Sequence, residues 1–567
     1  PALTFGDADG AFYAINTNTV QNTGGFSITI AIGTAVAWFQ DAGTFVNVGD
    51  VAWHQGSDSE TLDYLTESKT YNWVETTQPS NGFDDNGIDW TITGGNGFDA
   101  ITGTDLTNAN PFPTAKEIDE SDDVIDGSAS YTISHVGAID NADLTFGTIL
   151  DEEGNEIELT KSRYGAFLHS QNRGVREAAW KGLFSAYQGL NHTLAANYEG
   201  HVKAKVFESR ARGFETRLDA ATYSNAIPKA VYLNLIEAVR NGTEPLQRFL
   251  ELRRKALGVE QLEVWDMYAP MVEPTIDNVS FDEAKNIVAD ALTPLGQDYL
   301  DVYWKGFDEG WVDAFNNRGK RGGAYSWGTY TSKPYLSMNF EGTLSDVSTL
   351  AHEYGHSIHS YLTRNTQPYV YGSYRTFIAE IASMTNEAIL MQKMLKEAKT
   401  PGERAYLLSS YLDEFRGGFY RQASFADFEM QAHAKVEAGE ALTADVLNTI
   451  YADVFSAYYG DAVHADKLND IEWSRIPHFL RGDNFYVYQY STSFVAATAL
   501  AKQILEEGEP ARERFLTMLK SGSNDYPIEL LKKAGIDMTT AQPVVDTVAV
   551  FADYVDQLEQ ALRDMER

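Results

Sequence analysis

Near residue 141 the chain changes its periodicity, and that change limits what it can fold into. Beyond it, apolar residues recur at the spacing of amphipathic helices through 173–206, 228–240, 281–292, 374–397 and 402–437. Before it, short β-type runs follow one another: FSITIAIG, TFVNVG, TYNWVETT, IDWTITGG and SYTISHVG. Turn dipeptides such as Asn86-Gly87 and Asn96-Gly97 separate them. Residues 1–140 are therefore expected to form a β-rich, acidic region of short antiparallel strands, sandwich- or barrel-like. Residues 141–567 are expected to form one large, mainly α domain. Inside it, 318–342 (RGKRGGAYSWGTYTSKPYLSMNFEG) mixes glycines with alternating aromatic and β-branched residues, which predicts a small β-sheet and a loop.

Composition removes several function classes. With 81 acidic against 44 basic residues, the formal net charge is -37, which repels nucleic acid and anionic membranes. The absence of cysteine excludes disulfides, thiolate metal sites and cysteine nucleophiles. The longest apolar run, FSITIAIGTAVAWF, is too short to span a bilayer. No basic leader precedes an apolar stretch, so no signal peptide is expected and the cytoplasm is the expected location.

The chemistry concentrates in HEYGH. His352 and His356 stand four residues apart, so on a helix they share one face and can meet one metal ion. Apolar residues at Leu350, Tyr354, Ile358 and Tyr361 support a helix over 344–362, with Ser345 or Asp346 as its expected cap. Glu353, beside the first histidine, is placed to act as a general base on a metal-activated water. A catalytic zinc needs three protein ligands and one open position. The third histidine of the metzincin pattern is absent, because His359 and Leu362 stand where Gly and His would be required. The third ligand is expected in the next helical stretch, RTFIAEIASMTNEA, where Glu380 is the better candidate and Glu387 the alternative. One Zn2+ ion is the expected cofactor.

The stretch KPYLSMNFEGTLSDVSTLAHEYGHSIHSYL, followed by FIAEIASMTNE, resembles oligoendopeptidase F and, more distantly, thimet oligopeptidase. NADLTFGTILDEEGNEIELTKSRY, FRGGFYRQASFADFEMQAHAKVEAGE and YYGDAVHADKLNDIEWSRIPHFLRGDNFYVYQYSTSFVAATAL extend the resemblance over about residues 141–567. It implies a mostly helical zinc endopeptidase that cuts short, unstructured oligopeptides in a deep channel. It implies His352, His356 and Glu380 as zinc ligands and Glu353 as base. It also implies that His478 and a tyrosine of FYVYQY stand opposite the metal, with Tyr488 favoured to donate to the oxyanion, then Tyr486, and Tyr490 at the substrate. Gly322, Gly323 and Tyr325 fall on a stretch similar to the family's substrate-edge strand, where an extended peptide would pair backbone to backbone. Glu387 is expected to orient a ligand histidine, whereas His359 and His433 are read as structural. Residues 1–140 do not resemble the family's helical N-terminal lobe.

Two other functions fit the same sequence. One is a zinc carboxypeptidase or other exopeptidase on this scaffold, which needs a cationic group for the substrate's terminal carboxylate. The other is a surface binding protein with an inert peptidase domain. Cleavage of end-blocked internal peptides separates them from an endopeptidase.

Overall fold

The computed structural model describes residues 143–566, apart from 277, 319, 321 and 481–483, together with the backbone of short strands between residues 3 and 102. The chain divides into two compact units, Pro1–Tyr131 and Thr132–Arg567. In the first, Phe26–Ile30 pairs with Thr19–Asn22 and with Lys69–Trp73, and Thr44–Val48 pairs with Trp38–Gln40 and with Val51–Gln55, all antiparallel. One pair departs from the expected antiparallel pattern, because Glu60–Asp63 runs parallel to Trp90–Thr93. Lys69–Trp73 lies between them in sequence yet pairs with Phe26–Ile30, so the chain returns by the crossover that parallel strands require. The run SYTISHVG and the two Asn-Gly turns lie outside the described residues.

The second unit is mainly α. Its helices follow the expected stretches, with breaks that periodicity does not reveal. The stretch 173–206 is two helices, Arg173–Gly189 and Asn191–Ala211, parted at Leu190 between two weak helix formers. The stretch 402–437 is Pro401–Phe415 and Arg421–Glu437, joined by a π-helical turn, Arg416–Tyr420, that contains Gly417 and Gly418. The stretch 374–397 breaks at Glu380 into Thr376–Ala379 and Ile381–Glu397.

Aromatic rings bind these helices into one core. Phe415 lies 4.5 Å from Phe494 of the helix Tyr488–Glu507 and 5.4 Å from Phe551 of the helix Gln542–Met565, centroid to centroid. All three side chains are buried, and such ring pairs contribute beyond their apolar area. No helix among the described residues is long and apolar enough to cross a membrane.

The expected small sheet is present. Tyr335–Ser337 lies between Val312–Asp313, to which it is parallel, and Tyr325–Trp327, to which it is antiparallel. Tyr325–Trp327 is therefore an edge strand. It stands against the helix that carries HEYGH, where the Ser326 and Ser357 hydroxyls meet at 2.8 Å.

Candidate active site

The HEYGH helix runs Leu344–Thr366. Its cap is Thr343, not Ser345 or Asp346. Thr343 has extended backbone and its Oγ1 accepts from the Asp346 N–H at 3.2 Å, while Asp346 Oδ2 accepts from the Thr343 N–H at 2.9 Å. This reciprocal box satisfies two helix-start donors, so Asp346 takes part as the third helical residue and Ser345 lies already inside the first turn.

The glycine of HEYGH sets how close the next helix comes. A Cβ on Gly355 would lie 2.4 Å from Ser383 Cα and 2.6 Å from Ser383 N, a backbone clash that nothing can relieve. Without it, the helix Ile381–Glu397 packs directly on the HEYGH helix. Asn386 clamps the contact by donating to the Ala351 carbonyl at 3.0 Å and accepting from the Tyr299 hydroxyl at 2.9 Å. A mid-helix glycine costs stability, so its presence between two histidines is itself a sequence signal of close packing.

That approach delivers Glu380. It occupies the break between Thr376–Ala379 and Ile381–Glu397. Its Oε2 lies 3.2 Å from His352 Nε2 and 3.2 Å from His356 Nε2. Ser383 Oγ donates to the Glu380 carbonyl at 2.8 Å and steadies the turn. Ligand atoms of His352, His356 and Glu380 all lie within 4.8 Å of one another, and this is the group among the described residues that could hold a metal ion. Two imidazole nitrogens and one carboxylate oxygen fit a catalytic zinc with an open position. Burial pushes Glu380 upward, but the hydrogen bonds and charges of His352 and His356 outweigh it and hold the carboxyl below its usual range. Glu387 does not reach the same point. Its Oε2 meets the other nitrogen of His352, Nδ1, at 3.0 Å, and Ser348 Oγ donates to its Oε1 at 3.3 Å. That contact turns His352 so that Nε2 faces Glu380.

Glu353 is buried at 6% exposure, and its Oε2 has no hydrogen-bond partner among the described residues. Burial raises its pKa, and the Glu380 and Glu387 carboxylates add to this against the pull of His352 and His356. A carboxylate raised above its ordinary value is the better proton acceptor.

The structure brings together His478, Tyr486 and Tyr490. The Tyr490 hydroxyl lies 3.4 Å from His478 Nε2, Tyr486 stacks on the His478 ring at 5.5 Å, and the two tyrosine rings are 5.6 Å apart. Burial raises the Tyr490 phenol, and Tyr486 and then the Glu380 charge add to this. The expectation for Tyr488 is corrected. It is buried in the core, 4.9 Å from Tyr232 and 6.1 Å from Phe377, and takes no part in this cluster. The reason is helical phase: a helical turn begins at Tyr486, so residues 486 and 490 share a face and 488 points away.

The loop that starts this turn hangs on Glu429 of the helix Arg421–Glu437. Phe485 has a left-handed backbone (φ 61), unusual for a bulky residue, and its N–H donates to Glu429 Oε1 at 2.7 Å. Burial pushes Glu429 up to about 8, against the lowering by the Phe485 N–H and Arg217. The folded chain keeps this proton to about pH 8, whereas an unfolded chain releases it near 4.5. The stabilisation is thus complete below 4.5 and is lost as pH rises toward 8. Thermal unfolding between about pH 5 and pH 8 checks this: the Tm of Glu429→Gln is expected to fall several degrees less than that of wild type over that range.

The remaining expectations fall on the edge strand and on two buried histidines. Gly323 has φ 86 and accepts from Asn339 Nδ2 at 2.9 Å, Gly322 is exposed beside it, and Tyr325 is 59% exposed. His359 and His433 are buried. His359 stacks on Tyr374 at 3.7 Å, and His433 Nδ1 meets the Glu429 carbonyl at 2.9 Å.

Comparison with known proteins meets this geometry. The profile of peptidase family M3 matches residues 166–550. Oligopeptidase PepF of Bacillus subtilis is 42% identical over 436 residues, 77% of this chain and 64% of that protein. Group B oligopeptidase PepB of Streptococcus agalactiae is 38% identical over 421 residues, 74% of this chain and 70% of its own. Oligoendopeptidase-F of Enterococcus faecium superposes with a TM-score of 0.64 at 36% identity, covering 78% of this chain and 73% of that one. The HEYGH helix with its crossing glutamate helix is thus the core of a peptidase fold. The chain belongs to peptidase family M3. It spans 64% of the length of the Bacillus relative.

Proposed function

We propose that this chain is a zinc-dependent endopeptidase that hydrolyses internal bonds of short, unstructured oligopeptides. The observation that supports it most is the convergence of His352, His356 and Glu380 within 4.8 Å of one another, beside a buried Glu353 carboxylate outside that donor set. His352, His356 and Glu380 would hold the zinc, with Glu387 fixing the tautomer of His352. When bound, zinc acidifies a water molecule and polarises the scissile carbonyl.

The chain's own groups do the rest. Glu353 takes the proton of the attacking water and returns it to the leaving amine. Tyr490, held by His478 and flanked by Tyr486, donates its hydroxyl to the carbonyl oxygen as that atom gains charge. The edge strand Tyr325–Trp327 keeps the peptide extended through backbone pairing, which reads little side-chain sequence. A cysteine-free chain with no apolar membrane-crossing helix among its described residues suits work in the cytoplasm. Residues 1–140 and 141–567 are proposed as separate β-rich and catalytic domains.

The test is cleavage of a quenched peptide blocked at both ends. Internal cleavage is expected, lost on chelation and restored by about one zinc per chain. An exopeptidase would leave this peptide intact, and an inert domain would leave every peptide intact while still binding zinc.

A further inference from the structure

Beside His478 lies a cavity of 400 Å³. Tyr268, Arg421, Gln422 and Arg475 line it, together with His169 and His478. Gly165, His169 and Pro477 are exposed and form its mouth, so it opens to solvent. No acidic residue lines it among the described residues.

The charge around this cavity does not balance. Arg421 and Arg475 share one carboxylate, since both pair with Glu472 Oε1, the second at 2.8 Å. The other oxygen of Glu472 accepts from the Tyr451 hydroxyl at 2.6 Å. Behind Tyr268 the pattern repeats. The Arg416 guanidinium lies over the Tyr268 ring at 4.4 Å, and Arg416 and Arg253 share Asp413 at 3.3 and 2.6 Å. Each of two arginine pairs thus has one carboxylate, in a chain whose net charge is -37. Arg475 Nε is buried without a hydrogen-bond partner. Burial pushes the Tyr268 phenol up, yet Arg421, Arg416 and Arg475 together bring it below its usual value. Buried guanidinium groups are ordinarily matched by acids. Two arginines with one acid between them, facing a solvent-connected cavity, match a planar anion that accepts from both.

We infer that this cavity receives a carboxylate of the peptide substrate, the C-terminal one of a short peptide, held by Arg421 and Arg475 with Tyr268 and Gln422 as hydrogen-bond donors. The inference rests on the peptidase reading above, and His478 links the two, facing the cavity while it meets the Tyr490 hydroxyl. A pocket anchored to the catalytic wall fixes how many residues separate the cleaved bond from the C-terminus, which favours short substrates.

Three peptides of one neutral sequence test this: a free C-terminal acid, its amide, and an amide ending in glutamate. In wild type, amidation is expected to raise KM about tenfold with kcat within about twofold, the signature of binding lost equally in ground and transition states. Recovery by the glutamate amide assigns the pocket to a side-chain carboxylate, and no recovery assigns it to the terminus. Gln422→Glu places a negative charge in the cavity and removes only a 3.3 Å bond to the Gly417 carbonyl. It is expected to bring the acid-to-amide KM ratio close to one. Arg421→Lys, checked for an unchanged Tm, is expected to move the ratio part of the way toward one. Equal KM for all three peptides in wild type overturns the inference, as does an unchanged ratio in both variants. Calorimetric binding of the same peptides to zinc-loaded Glu353→Gln protein reads the pocket without turnover. A catalytic failure with an acid-to-amide difference in Kd then sinks only the peptidase reading, and equal Kd values sink the pocket.

Discussion

Glu353→Gln is expected to lower kcat for an end-blocked internal peptide by about 10²–10⁴-fold while the protein still takes up one zinc ion. Glutamine keeps the shape and loses the ability to accept a proton. The metal set is untouched, because Glu353 lies outside the His352, His356 and Glu380 cluster. Folding is expected to be unharmed. Glu353 Oε2 has no hydrogen-bond partner among the described residues, so the change removes a costly buried charge without breaking a bond to that atom. Steady-state kinetics with metal analysis on the same sample decides the matter. Wild-type turnover in a zinc-loaded variant would show that another group is the base.

Tyr490→Phe and Tyr488→Phe are expected to separate by about two to three orders of magnitude in kcat, although the residues lie two positions apart on the same helical turn. Tyr490 presents its hydroxyl at 3.4 Å from His478 and within reach of the Glu380 charge. Its loss removes an interaction that strengthens as the carbonyl oxygen becomes negative, so kcat falls and KM changes little. Tyr488 contributes a buried ring, which phenylalanine supplies equally well. Tyr486→Phe is expected to fall between, since its ring still stacks on His478. Full activity in Tyr490→Phe, with loss in Tyr488→Phe, would restore the assignment drawn from the sequence.

That reversal shows where sequence reading ends here. His352, His356 and Glu353 are legible because a helix turns spacing into position, and the crossing glutamates because they sit on the next amphipathic stretch. The capping box at Thr343 and Asp346 was also written in the chain, as a threonine three residues before an acid. Helical phase across the start of a helix was not. FYVYQY alternates like a strand, and only the onset of the turn at Tyr486 decides which tyrosines meet His478. The break at Glu380 and the π turn at 416–420 interrupt runs with unbroken apolar period. Arg421 and Arg475 meet over one glutamate from distant parts of the chain, which no local pattern announces.

The edge strand Tyr325–Trp327 has a consequence for how the molecules behave in company. Among the described residues of its unit nothing pairs with its outer side, and Tyr325, Trp327 and Tyr335 are 59%, 65% and 49% exposed. A bare, aromatic strand edge is a template for unwanted self-association, and proteins ordinarily blunt one with lysine or proline. On the proposed reading, either device here would cost the backbone groups or the flat approach that an extended peptide would need. Protection has to come from elsewhere, and a net charge of -37 supplies it as long-range repulsion between copies. High salt screens that repulsion, so concentrated salt is the condition under which this edge becomes a colloidal liability.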